Sequence, residues 1–197
     1  MLEDKEFLVP QERDRTRLEW LNQFPAFKSL TPEERDVIYW VNYVRENPKE
    51  FYKIYFLQFL RDFPGIENSY TNSLRTDLLS TKPLNPLAPS ILLNNTSFKH
   101  ARDLAENAKK LSHNSTDGKS FQQRMIEAGI KICALENIYE GKKNALEAVI
   151  LLLIDNNTPG VGHRKTLLDK TIHSIGVSFA DKKNGVDYIL VQDFSCD

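Results

Sequence analysis

The spacing of hydrophobic residues predicts helices over the first part of the chain. Thr31, Pro32 and Glu34 mark a helix start, because Thr31 can cap, Pro32 suits the first turn and Glu34 completes a capping box. Apolar residues then recur at helical spacing, namely Val37, Val41 and Val44. We therefore expect a helix from residue 31 onwards, preceded by an extension over residues 1–30 that holds a short helix and an irregular segment.

A second helix is predicted to follow directly. The Asn47-Pro48 pair interrupts the first helix and starts another, in which aromatic residues recur at four-residue steps: Phe51, Tyr55 and Phe59. Pro64-Gly65 ends this helix. Residues 65–89 are rich in turn residues and contain three prolines. They predict a long connection with little regular structure.

The pattern becomes helical again over residues 90–111. Small and apolar residues form an inward stripe that comprises Ala101, Leu104, Ala105, Ala108 and Leu111. His100 is grouped with the outward, charged residues and is predicted to lie on the surface. Residues 112–119 read as a loop with an Asp117-Gly118 turn. Residues 120–128 read as a short helix that Gly129 ends.

The last third of the chain predicts strands around two helices. Residues 130–139 fit a strand, 144–155 a buried helix and 162–168 a short helix. Apolar and small polar residues alternate over 174–179, and 186–194 returns as the hairpin partner. His173 shares the parity of Ile175 and is therefore predicted to be a packed core histidine. The expected fold is α+β, a three-layer α-β-α sandwich with a small antiparallel sheet.

Composition and charge limit the partners of this fold. The 197 residues are 41% hydrophobic and 27% charged, enough for one domain that folds without a metal. A net charge of −1 gives no general reason to bind nucleic acid or anionic membranes. The longest apolar run, residues 148–154, is far short of the roughly 20 residues of a membrane-spanning helix. The charged start, MLEDKEFLVPQERDRTRLEW, is not a signal peptide; either the protein is cytoplasmic or the sequence begins after a removed leader.

Three polar residues at loop and strand ends are candidates for chemistry. Glu136 shares a strand face with Ile132 and Ile138, where a carboxylate is costly unless it is paired or coordinates a metal. The alternative is that the strand frays there or that Glu136 caps nearby backbone N–H groups. His113 opens a loop, and His163 stands at a helix start that disfavours its protonation. A surface position is the alternative for either histidine taken alone. Motifs for nucleotide binding, elbow-type serine hydrolases and helix-borne zinc proteases are absent.

Four ordered motifs carry a family resemblance. They comprise Asn42 to Arg45 with Pro83 to Leu87, the loop from His113 through Asp117, Gly118 and Phe121 to Arg124, the strand Leu135-Glu136-Asn137-Ile138, and Gly162-His163-Arg164 to Leu168 with Ile175-Gly176-Val177. With them the sequence resembles the CAP superfamily (cysteine-rich secretory proteins, antigen five and pathogenesis-related proteins), in particular its bacterial SCP-like branch. The resemblance spans about Thr31 to Phe194. It implies one domain over residues 31–197 and a location outside the cell or in the cell envelope.

The resemblance also implies a polar cleft of two histidines and two acids. These carry over as His113, Glu136, Asp155 and His163, with Asp155 where many members have Glu. Two departures, Leu135 for Gly and Leu152 for Trp, change the expected shape of the cleft. The eukaryotic disulfide set is missing, so Cys133 and Cys196 form either one disulfide or two free thiols.

The chemistry expected of this cleft is metal binding. Two imidazoles suit zinc or another divalent metal, with Glu136 or Asp155 orienting a ligand or a water, and no organic cofactor is implied. A peptide, glycan, lipid or other small molecule is the expected partner. The alternative is a metal-dependent hydrolase, a protease or esterase with Glu136 as general base. The sequence leaves enzymatic activity open and favours binding.

Overall fold

The computed structural model describes residues 7–108, 110–130 and 133–196. The extension, predicted to hold one short helix, contains two among its described residues, α1 (Arg15–Leu21) and α2 (Pro25–Lys28). The other helical elements of the first half are α3 (Pro32–Glu46), α4 (Pro48–Phe51), a π-helical segment (Tyr52–Phe56), α5 (Leu57–Asp62), a 3₁₀ turn (Pro64–Ile66) and α6 (Ser69–Ser80). The helices of the second half are α7 (Ile91–Asn107), α8 (Phe121–Glu127), α9 (Ala145–Ile154) and α10 (Gly162–Leu167). The strands are β1 (Ala88–Pro89), β2 (Ala134–Gly141), β3 (Ser174–Asp181) and β4 (Tyr188–Ser195).

The strands form one sheet between two helical layers. Its order is β1-β3-β4-β2, with β3, β4 and β2 antiparallel and the two-residue β1 parallel to β3. Helix α7 packs on one face, against β3 and β4, while α3 and α9 pack together on the other. The predicted α+β fold with an α-β-α sandwich is confirmed. The parallel edge strand β1 is an addition to the small antiparallel sheet that the sequence predicted.

Alternating side chains divide the sheet between two cores. Val177 and Phe194 belong to the larger core, on the side of α3 and α9. Ile138 and Val191 have the opposite parity and pack against Leu104 of α7 in a smaller core. Each face of the sheet therefore has its own apolar partner, and a polar side chain in the middle of these strands points into a packed layer.

The predicted start of α3 is confirmed in detail. Thr31 Oγ1 accepts a hydrogen bond from Glu34 N, and Glu34 Oε2 accepts one from Thr31 N. The second oxygen of Glu34 accepts from Phe179 N and from the Ser178 hydroxyl. One carboxylate thus caps the helix and also accepts a hydrogen bond from the backbone of β3, at a point where β3 extends beyond its edge partner β1.

The prediction of an irregular connection over residues 65–89 is wrong in its first half. Helix α6 occupies residues 69–80, where Asn68 accepts from Tyr70 N and Thr71 N as its cap, and Leu74 and Leu78 are fully buried. All three prolines of this stretch lie beyond the helix, at positions 83, 86 and 89. Their density concealed an ordinary cap and an i, i+4 apolar pair.

Two boundaries also differ from the prediction. Helix α7 ends at Asn107 rather than at Leu111, and Leu111 is exposed. Strand β2 begins at Ala134, and Ile132, which was predicted to belong to it, lies outside the described residues.

The N-terminal extension packs into the main core. Phe7 is buried with its ring 5.2 Å from that of Phe59, and Asn144 Nδ2 donates to Phe7 O at 2.7 Å. Leu21 and Phe27 belong to the same core. The division at residue 31 stays a prediction about the domain, but the extension contributes apolar side chains to a shared interior.

A disulfide joins Cys133 to Cys196, so the first of the two alternatives for these cysteines is confirmed. It connects the start of β2 to the end of β4, where the backbone pairing continues as Cys196 N donates to Cys133 O. In the described ranges no helix is both long enough and apolar enough to cross a bilayer.

The close approach of α7 to the sheet yields a test of the fold. A Cβ at Gly176 would lie 2.1 Å from Leu93 C and 2.2 Å from Asn94 N, both backbone atoms that cannot rotate away. We expect Gly176→Ala to lower the free energy of unfolding by about 3 kcal/mol in urea denaturation. Gly65→Ala is the control, since a Cβ there meets nothing within 4 Å, and an equal loss in both variants would contradict this packing.

Candidate functional site

The first part of the site is a buried carboxylate with two cationic or donor partners. Glu136 lies on the α7 face of β2, and its side chain is 1% exposed. Oε1 accepts from His113 Nδ1 at 2.8 Å, and Oε2 accepts from Arg124 Nη2. Arg124 Nη1 donates to His113 O at 2.7 Å, so it also fixes the backbone of the histidine loop. The pairing that the sequence required of a carboxylate at this position is supplied by Arg124 and His113.

The second part repeats the pairing at the start of α10. Asp155 ends α9 in the left-handed conformation, at φ 54°, and its Oδ1 accepts from His163 Nδ1 at 2.8 Å. Its Oδ2 accepts from His163 N, also at 2.8 Å. Val161, a β-branched residue, is held at φ 46° just before α10, which is a strained position. The backbone thus adopts the left-handed conformation at Asp155 and at Val161, on either side of the turn that brings His163 to Asp155.

Both pairs leave the same ring atom available. A carboxylate can only accept, so Nδ1 of each histidine must carry the proton and Nε2 of a neutral ring must hold a lone pair. Neither Nε2 has a hydrogen-bond partner within the described part of the chain. The side chains of His113 and His163 are 57% and 25% exposed, while their acids are buried. The acids orient the rings, and the rings face outward.

The two pairs flank strand β2. Asn137, adjacent to Glu136, points to the opposite sheet face, where its Nδ2 donates to Gln192 Oε1 at 3.3 Å and to His163 O at 3.4 Å. Over residues 7–108, 110–130 and 133–196, no three His, Cys, Asp or Glu side chains are arranged to hold a metal ion. Each of the four residues predicted for the cleft belongs to a His–carboxylate pair, His113 with Glu136 and His163 with Asp155.

The remaining two histidines contradict their predictions. His100 is buried, not on the surface; its Nε2 donates to Ser112 O at 3.0 Å and lies 3.9 Å from Glu136 Oε1. Burial lowers the pKa of His100, so the ring is neutral and Nδ1 faces the interior without a partner in the described chain. His173 is exposed rather than packed, because it precedes β3 and the alternation of the strand does not extend to it.

A model of the cysteine-rich secretory protein family, CAP, matches residues 68–194, well over half of the chain. The chain belongs to the CAP family. No curated protein sequence is detectably similar to it.

Two solved structures are similar to this CAP protein at low identity. An extracellular protein containing an SCP domain, from Bacillus anthracis, is 22% identical with a TM-score of 0.47; the match covers 68% of this chain and 43% of that protein. An outer surface protein from Borrelia burgdorferi is 20% identical with a TM-score of 0.46; the match covers 64% of this chain and 88% of that one.

Arg164, in the G-H-R motif of this CAP domain, positions the second pair. It is 2% exposed, and its Nε and Nη2 donate to Leu153 O and Ile154 O, the last turn of α9. Nη1 forms an ion pair with Asp77 of α6 at 2.9 Å. Arg164 therefore holds α6, α9 and α10 together beside Asp155, a role that sequence reasoning missed because its partners are mostly backbone carbonyls.

Asp193 is a second buried acid that sequence reasoning also missed. It is the cross-strand partner of Glu136 and is 0% exposed. Its Oδ2 lies 2.6 Å from Thr96 Oγ1, which is itself 2.9 Å from Leu93 O. Burial, and then the charge of Glu136, raise the pKa of Asp193 well above its ordinary value. Asp193 stands two residues after Val191 and therefore faces the same side of the sheet. An acid at such an apolar position was also the observation that singled out Glu136.

The buried carboxyl of Asp193 predicts a pH-dependent stability. Since its pKa is raised on folding, this contribution is fully present below about pH 4 and is lost as pH rises towards the folded-state pKa. Asp193→Asn removes the titration, so the unfolding free energy of the variant minus that of the wild type should increase above pH 4, by up to about 1.4 kcal/mol per unit.

Urea denaturation at several pH values in buffer with a chelator checks this difference. Gly65→Ala is the control, because it removes no titratable group, and its difference from the wild type should hardly change with pH. A difference for Asp193→Asn that is equally flat would contradict a protonated carboxyl beside Glu136.

Proposed function

We propose that this chain is an extracellular or cell-envelope CAP protein in which His113 and His163 present Nε2 to a divalent cation. The observation that carries the proposal is the repeated His–carboxylate pair. In metal sites, a ligating histidine commonly donates its other N–H to a carboxylate, which fixes the tautomer and raises the basicity of the ring. Glu136 and Asp155 hold Nδ1 in this way on both rings.

The donor set fits a weakly bound borderline metal such as zinc. Imidazole nitrogens suit zinc, and two protein ligands leave coordination positions to water or to a ligand. When bound, the metal would supply a Lewis acid that attracts a carboxylate, carbonyl or hydroxyl group of a peptide, glycan or lipid partner. In this proposal Glu136 and Asp155 orient the rings rather than coordinate the metal, because their accepting oxygens are engaged with Arg124 and with backbone or ring N–H groups.

The disulfide supports a location outside the cytoplasm. Disulfides form and persist in oxidising compartments and are rare where glutathione and thioredoxin keep thiols reduced. Cys133 and Cys196 are joined, which suits a protein that functions outside the cell or in its envelope.

Hydrolysis with Glu136 as general base is the alternative, and the geometry does not favour it. A general base must come within hydrogen-bond reach of the water or substrate that it deprotonates. Glu136 has a side chain 1% exposed and both of its oxygens engaged, so His113 stands between it and solvent. Binding therefore remains the function that the site supports best.

The metal proposal predicts the outcome of zinc titrations by calorimetry. His113→Ala combined with His163→Ala should weaken zinc binding at least a hundredfold relative to the wild type. His173→Ala is the matched control, because this exposed histidine lies outside both pairs, and it should bind like the wild type. Identical isotherms for the double variant and the wild type, or no binding by the wild type, would contradict the proposal.

The orienting role of the acids is tested by keeping both histidines. Asp155→Asn preserves a residue that tolerates the left-handed conformation and still accepts a hydrogen bond, but it removes the charge behind His163. We expect zinc affinity to fall about 10–100-fold. Unchanged affinity, with thermal unfolding like that of the wild type, would mean that the carboxylate does not act on the ring.

A further inference from the structure

A cavity that shares no residue with the two His–carboxylate pairs lies between α1 and the segment of residues 83–86. Its volume is about 660 Å³, within the range of small-molecule sites. Its polar and aromatic lining residues include Arg17, Trp20, Glu46, Asn47 and Asn85. One wall thus comes from the N-terminal extension and the other from the end of α3 and the proline-containing segment after α6.

The segment wall is held rigidly against α3. Leu84 N donates to Arg45 O at 2.9 Å, and Arg45 Nε donates to Asn85 O at 3.1 Å. Two residues on, Leu87 N donates to Asn42 Oδ1 at 2.7 Å. The backbone that carries Asn85 is therefore preformed, which reduces the ordering that a ligand would have to impose.

The α1 wall is held to the same helix. Asp14 N donates to the Tyr39 hydroxyl at 2.8 Å, and Arg17 Nε donates to Glu46 Oε2 at 2.6 Å. The Arg17 guanidinium also lies 4.7 Å from the ring centre of Tyr43. Arg17 is 8% exposed, yet its Nη1 has no hydrogen-bond partner among the described residues. The same guanidinium packs on the Tyr39 ring at 5.3 Å, so aromatic contacts offset part of its burial, and an acceptor beside Nη1 would complete its hydrogen bonding.

Further polar groups of the lining are also unused. No hydrogen bond is formed by the carboxamides of Asn47 and Asn85 within the described chain, although each offers two donors and an acceptor. Trp20 adds a half-buried indole, held edge-on against Phe24 with ring centres 4.9 Å apart. The cavity therefore combines one flat apolar face with several planar donors and acceptors.

The charges of the lining residues restrict the class of ligand that this cavity can bind. Asp14 and Glu46 face a single cation, Arg17, so the cavity has an excess of negative charge. An anionic ligand would be repelled, a cationic ligand would compete with Arg17 for Asp14 and Glu46, and a purely apolar one would leave Arg17 Nη1 unsatisfied. A neutral sugar has C–H faces that pack on an indole and hydroxyls that both donate and accept.

From this lining we infer that the cavity between α1 and residues 83–86 is a binding site for a neutral saccharide. Trp20 stacks on a sugar ring, Asn47 and Asn85 bind hydroxyls, and Arg17 Nη1 donates to a sugar oxygen. The inference is independent of the metal proposal, because none of these residues touches His113 or His163.

The test uses the full chain and four neutral probes, maltotetraose, cellotetraose, mannotetraose and tetra-N-acetylchitotetraose, in calorimetry and in NMR. The chain has two tryptophans and thus two indole N–H signals. At least one probe should bind the wild type and shift the signal of Trp20, while that of the fully buried Trp40 stays in place. Asn85→Ala should weaken binding at least tenfold. Asn95→Ala, an exposed asparagine on α7, is the matched control and should have no effect.

Trp20→Ala is a second variant, read together with its melting temperature, and should also bind at least tenfold more weakly. A heparin tetrasaccharide and a decaproline peptide complete the set of probes. The inference is overturned if no neutral probe binds the wild type at 10 mM, a concentration roughly at the weak limit of specific recognition. It is also overturned if only the anionic or the proline probe binds, or if Asn85→Ala binds like Asn95→Ala.

Discussion

The charge of Glu136 inside the sandwich is the constraint on which the site depends. A carboxylate between a sheet and a helix is tolerated only with partners that replace its hydration. Arg124 supplies the counter-charge and His113 a hydrogen bond, and Arg124 also holds the backbone of His113. The loop that carries His113 is therefore positioned by the need to satisfy Glu136. Removing Arg124 would leave a buried charge and release the histidine at the same time.

Sequence patterns predicted the elements wherever local chemistry decides the structure. The capping box of Thr31, the ends of α8 and α9 and the hairpin of β3 and β4 all depend on residues close together in the chain. The prediction of secondary structure failed at α6. The cap of this helix, Asn68, lies in a stretch that was judged by its three prolines, all of which come after the helix. The position of each proline predicts where a helix can form better than the number of prolines in a stretch does.

The candidate residues could be named from the sequence, but their arrangement could not. Motifs singled out His113, Glu136, Asp155 and His163, yet which histidine pairs with which acid depends on how the helices and the sheet pack together. His100 could have been found, since it stands three residues after the buried Ser97 and four before the buried Leu104. Asp193 carried the same parity signal as Glu136. The roles of Arg164 and Arg45 were beyond sequence reasoning, because their partners include backbone carbonyls distant in the chain, Tyr70 O and Leu167 O respectively.

The disulfide has a consequence for how β2 and β4 are aligned. Cys133 and Cys196 stand directly outside the pairing of Ala134 with Ser195, three residues from Glu136 and Asp193 respectively. Slippage of β2 by one residue would turn Glu136 to the face of the larger core and bring Asn137 towards α7. A covalent link at the open end of the ladder excludes that misalignment even when the strands transiently separate. The bond thus protects the orientation of the carboxylate, in addition to restricting the unfolded chain.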